Sequence, residues 1–182
     1  MLAPLAMLTI TPEASLAAAP PPRRDPARRF PYQESLFDSS IVKVSLEQKS
    51  ADADRLFSIE AKASNLSIDE DTVSGVFNAT ELVMGDELAF RTLWDLRTCP
   101  IPTPGVVLRC MQWALRNKRN LDQYNLAMAI VLPATRPTML LVVNHVLRAF
   151  SPKCAVRATA DVEDARAFLR APVTHALDGD GG

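Results

Sequence analysis

The chain has 182 residues, 48% hydrophobic and 23% charged, the composition of an ordinary soluble globular protein. A formal net charge of -1 excludes an overall field that would draw in nucleic acid or an anionic membrane surface. No apolar stretch reaches the roughly 18 to 20 residues needed to span a bilayer, and a chain this long buries a core without disulfide or metal support.

Residues 1–38 carry Pro20-Pro21-Pro22 and four arginines (Arg23, Arg24, Arg28, Arg29) and few large apolar groups after Leu16. Such a segment cannot bury enough surface to offset its ordering entropy, so it is expected to be a flexible tail. Met1 to Ile10 and Ala17-Ala18-Ala19 look superficially like a secretory signal. Pro4, Pro12 and Glu13 interrupt that pattern and no basic flank precedes it, which leaves organelle targeting open. Residues 39–171 are expected to form one α/β domain, and 172–182, with Pro172 and the terminal glycines, a second tail.

Within the domain, Val42, Val44 and Leu46 alternate with polar residues and predict a strand. Residues 48–55 read as a polar connection. Phe57, Ile59, Ala61 and Ala63 mark one face of a second strand. Val73, Phe77 and Ala79 alternate in the same way, so 72–79 is expected to pair with it as a hairpin. Thr80 would then cap a short helix over 81–88.

Phe90 to Leu96 is a core strand, followed by a loop that Pro100 and Pro102 keep irregular. Thr103-Pro104 supplies a hydroxyl cap and a proline in the first turn of a helix running to about Asn120. Its polar stripe is Arg109, Gln112, Arg116 and Arg119. Its buried side is expected to hold Val107, Cys110, Met111, Ala114 and Leu115. Leu126 to Leu132 has no polar residue on either face, as befits a strand covered on both sides. The next helix, 137–150, has so narrow a polar stripe (Thr138, His145, Arg148) that deep burial or a homodimer through Met139 to Phe150 is expected. Cys154 to Thr159 suits an edge strand. Asp161 caps a last helix whose Val162, Ala165, Phe168 and Leu169 face inward.

Together these elements predict a four- to five-stranded mixed sheet with helical crossovers. The three cysteines (Cys99, Cys110, Cys154) show neither Cys-x-x-Cys spacing nor clustering with His145 or His175. That speaks against a disulfide scaffold, a zinc site or any other metal, and for a reducing, cytoplasmic setting. Cys99 lies close to a helix start, which lowers a thiol's pKa, but no general base accompanies it. With no glycine-rich phosphate loop and no nucleophile elbow, no catalytic residue and no cofactor are expected.

Three stretches carry a resemblance over about residues 55–170. They are Leu93-Trp94-Asp95-Leu96-Arg97 closing a strand, the apolar Ala127 to Leu132, and Asp161-Val162-Glu163-Asp164-Ala165-Arg166-Ala167-Phe168-Leu169. In this order they resemble STAS-like α/β domains of the anti-sigma-factor-antagonist and CRAL-TRIO type. That resemblance implies a non-catalytic module for protein-protein interaction and regulation; its CRAL-TRIO side implies, as the alternative, a carrier or sensor of a small apolar ligand. The best-known members carry a phosphorylated serine in an Asp-Ser-Ser-Gly context after the third strand, where this chain has Arg97-Thr98-Cys99-Pro100. The expected contacts for a protein partner are Asp95, at the strand end where open sheets bind ligands, with Arg97, Thr98, Thr103, Arg109 and Arg116. Thr98 and Thr103 are also the hydroxyls open to phosphorylation there.

Overall fold

A computed structural model describes residues 31–50, 55–62, 67–100, 102–135, 143 and 153–172. Apart from residue 143, the expected apolar helix at 137–150, with the homodimer assigned to it, lies outside these residues, as do most of both tails. The elements are β1 (Tyr32–Asp38), β2 (Val42–Gln48), β3 (Arg55–Ala61), α1 (Glu70–Gly85), β4 (Phe90–Asp95), α2 (Pro104–Arg116), α3 (Lys118–Tyr124), β5 (Asn125–Val131), β6 (Ala155–Thr159) and α4 (Val162–Arg170). The strands form one six-stranded sheet in the order β1-β2-β3-β4-β5-β6. Its first two pairings are antiparallel and the remaining three parallel.

The mixed α/β sheet matches the expectation, with one strand more than the upper count. The extra strand is β1, from residues assigned to the tail. It hydrogen-bonds along β2 and lays Leu36 and Phe37 against the core, so Tyr32–Asp38 belong to the sheet. Among the described residues only one edge of β1 is paired, and its alternation is broken by an irregularity between Ser35 and Phe37, which hid it in the sequence.

The strand expected at 72–79 is instead part of α1, and the hairpin with it is absent. β3 pairs with β2 on one side and, in parallel, with β4 on the other. The apparent alternation of Val73, Phe77 and Ala79 is a subset of a helical stripe that includes Val76, Val83 and Met84, all buried. Asp69, not Thr80, is the cap: its Oδ1 accepts from Thr72 N at 2.7 Å, and Glu70 and Asp71 favour the positive helix start. Thr80 is buried mid-helix and satisfies its hydroxyl on the Val76 carbonyl at 2.8 Å.

Each face of the sheet has its own core. α1 and α2 close over Val44, Leu46, Phe57, Ile59 and Phe90 on one side. On the other, α4 packs Ala165 and Leu169 against Leu93, Ala127, Ala129 and Val131. β5 is thus an interior strand, buried on its α4 face through Ala127, Ala129 and Val131 and half-buried at Leu126 and Met128 on the other, and β6 is an edge, as the apolar run and Arg157 had indicated.

Arg55, read as the end of a polar connection, is the first residue of β3 and only 3% exposed. It reaches Asp86 Oδ2 at 2.6 Å and donates to the carbonyls of Val83 and Leu88, at the end of α1 and just beyond it. The guanidinium thereby satisfies acceptors that a helix end leaves without intrahelical donors. Arg55→Met is expected to lower unfolding stability by about 3 kcal/mol, because it strips a charged donor from buried acceptors. A denaturant titration giving a loss under about 1 kcal/mol would show that the clamp is dispensable.

Gly75 marks where α1 meets the edge strand. A Cβ there would stand 2.3 Å from Phe37 Cε2 and Cζ. Gly75→Ala is therefore expected to destabilise by about 1–3 kcal/mol, despite alanine's helix preference of about 1 kcal/mol. Thermal unfolding of this variant at or above the wild-type midpoint would contradict that close approach.

Candidate functional site

The parallel strands end on one side of the sheet, and the turn after β4 is the best-defined structure there. Asp95 and Arg97 form a two-point ion pair: Arg97 Nε to Oδ1 at 2.9 Å and Nη2 to Oδ2 at 2.7 Å, with the Arg97 amide also on Oδ1 at 3.3 Å. Burial pushes the Asp95 carboxyl up, but the hydrogen bonds and charge of Arg97 outweigh it, with help from Arg166, and hold it below the ordinary carboxylate value. Thr98 donates its hydroxyl to the Ala61 carbonyl, fastening this turn to the end of β3.

Thr103 is the N-cap of α2, its Oγ1 accepting from Val106 N at 3.3 Å. Arg109 lies along the helix and is turned to α1, where it bonds Ser74 Oγ at 3.0 Å and pairs with Glu70 at 3.3 Å. Arg116 is exposed at the far end, its Nε on the Gln112 carbonyl of its own helix. Asp95, Arg97 and Thr98 therefore sit together. Arg116, about 20 Å along the helix from Thr103, does not join them.

The inward face of α2 differs from the expected one. Trp113 is its one buried residue, its ring stacked on Phe77 at 4.7 Å and its Nε1 donating to Glu81 Oε1 at 2.7 Å. An indole buries a large area and when buried usually takes a partner for its N–H, and α1 supplies both through Phe77 and Glu81. Orienting α2 by Trp113 leaves Val107 43%, Leu108 56%, Met111 41% and Leu115 59% exposed. Of the five side chains expected to face inward, only Cys110 and Ala114 are half-buried. The helix is also shorter than expected: Asn117 leaves helical geometry (φ -96°, ψ 6°), and α3 starts beyond it.

Burial raises the Cys99 and Cys110 thiols and pushes Cys154 up to about 11. The lowering that proximity to a helix start suggested for Cys99 does not occur. Trp94, whose Nε1 is buried without a hydrogen-bond partner among the described residues, was not singled out in the sequence; nothing there distinguishes it from a core tryptophan. No group of three or more metal-ligating side chains occurs among the described residues, and no helix among them is long and apolar enough to cross a membrane.

The arrangement of strands and helices is a STAS-like fold. No family model matches the sequence, and no curated protein matches it. Among solved structures, the chain is similar to an uncharacterized protein of the DUF3478 family with a SpoIIAA-like fold, from Shewanella loihica PV-4. The TM-score is 0.50 at 11% identity, over 73% of this chain and 98% of that one. The likeness is one of fold, and it agrees with the STAS-type resemblance in the sequence.

In Arg97→Gln, burial of Asp95 loses its main opponent, so the carboxyl's titration midpoint is expected to rise. The folded wild-type value is depressed, so the pair's stabilisation is full above the unfolded carboxylate value of about 3.9 and fades as pH falls through the folded one. Carboxyl-carbon NMR titration of both proteins checks this; an unchanged midpoint would mean that Arg97 does not hold the charge.

Proposed function

We propose that the chain is a non-catalytic protein-interaction module of regulatory type, and that its partner docks on the exposed side of α2 and the turn from Arg97 to Gly105. The observation that supports this most is the apolar stripe of Val107, Leu108, Met111 and Leu115 on a helix whose other side is committed to α1. Large apolar groups gathered on one exposed helix face, rimmed by arginine, are a feature of interaction surfaces. A partner with an apolar groove and an acidic rim fits the stripe and the neighbouring Arg116. The hydroxyls of Thr98 and Thr103 lie at the entrance to this surface, where added phosphate would disturb the turn and the helix cap.

A photo-crosslinking residue at position 111 is expected to trap one discrete partner in cells of origin. Leu108→Glu with Leu115→Glu, both at exposed positions, should abolish that product and leave the circular dichroism spectrum unchanged. Equal crosslinking from Arg157 on β6, at the sheet's far edge, or persistence of the product in the double variant, would remove α2 as the docking face.

A further inference from the structure

The other face of the sheet holds a concavity that the interaction reading does not use. α4 packs on β4, β5 and β6. Where its cover ends, a cavity of about 350 Å³ opens between α4 and the face of β3, within the size range of small-molecule sites.

Its apolar walls are Leu56 on β3 and Leu169 on α4. Between them Ser58 is 5% exposed and lines the cavity. No hydrogen bond engages its hydroxyl among the described residues, and the oxygen is left open to the cavity. Arg166 and Arg170, one helical turn apart on α4, face the same space. Neither makes a hydrogen bond or a close ion pair among the described residues; Arg166 only feels Asp95 at longer range.

The charge lining the cavity is positive on balance. Arg91, whose Nη1 donates to the carbonyls of Leu169 and Ala171, holds the end of α4 and adds a third cation. Lys49 stands at the margin, opposed by Glu47 and Glu60, while the charge of Arg55 is met by Asp86. This excess sits on a chain whose net charge is -1.

We propose that this cavity binds a small organic anion, with a phosphate or carboxylate held by Arg166 and Arg170 and an apolar body lying on Leu56 and Leu169. The Ser58 hydroxyl completes the site by hydrogen-bonding to the ligand. Two guanidiniums at a spacing of four on one helix can close on a single anionic group with several charge-assisted hydrogen bonds. The apolar walls distinguish an organic anion from a bare inorganic one. Because α2 lies on the opposite face, binding here and partner docking are testable separately.

The test is a calorimetric or NMR titration of the full chain with phenyl phosphate, benzoate, inorganic phosphate and phenol. At least one of the first two is expected to saturate with a Kd on the order of 1 mM or tighter and to shift the Ser58 resonances. Whichever it is identifies the anionic group. Arg166→Gln with Arg170→Gln should weaken it about tenfold, and Ser58→Ala about threefold. Arg119→Gln, on α3, should leave it unchanged. Should the double variant not fold, R166K with R170K keeps charge and stem length and is expected to weaken binding about threefold through the lost fork geometry. No saturation by either organic anion up to about 10 mM overturns the proposal. So does equal binding by the α4 variants, or affinity for inorganic phosphate or phenol as high as for the organic anion.

Discussion

The grip of Arg55 on the end of α1 sets the position of nearly everything on that side of the sheet. β3 is where antiparallel pairing on one side gives way to parallel pairing on the other. A parallel connection requires a crossover, and α1 is that crossover. Its last turn comes down beside the first residue of β3, and Arg55 supplies donors to the carbonyls of Val83 and Leu88 and a counter-charge to Asp86. A buried guanidinium tolerates such a place only when its donors are used, so the partners and the cation hold each other in register.

The position of α1 in turn decides that of α2. Phe77 offers a face for the Trp113 indole, Glu81 an acceptor for its N–H, and Ser74 and Glu70 a seat for Arg109. These contacts lie along one side of α1 and orient α2 by its tryptophan instead of its aliphatic residues. The apolar stripe left outside is a consequence of that preference. On the opposite face α4 is held by Ala165 and Leu169 and tied at its end by Arg91, and it stops short of covering β3. One face of the domain thus ends in an exposed apolar helix and the other in a cationic hollow.

Much of the parallel half was legible from the residues. Leu126 to Leu132 announced a strand covered on both sides, and Asp161 announced the cap of α4, because continuous apolarity and a carboxylate before an amphipathic run are local signals. The misreadings lie where a local pattern had two explanations. Val73, Phe77 and Ala79 satisfy a period of two as well as part of a helical stripe, and Asp69, whose capping bond favours the helix, lies outside that run. β1 was concealed by its arginine- and proline-rich prelude and an irregular edge. In the site, Asp95, Arg97 and Thr98 were placed together by chain proximity alone. The inward turn of Arg109 depends on Ser74, which is 35 residues away.

The amino-acid sequence by itself determined the class of fold, the interior place of β5 and the caps of α2 and α4, since these follow from periodicity, burial and hydrogen-bonding groups within a few residues of one another. Only the tertiary structure decided which side of α2 meets solvent, that Arg55 is interior, and that Ser58, Arg166 and Arg170 share one cavity. Each of those outcomes is a competition among distant groups for the same buried space or the same hydrogen-bond partner, and its winner is set by the three-dimensional packing of α1 and α4 on the sheet.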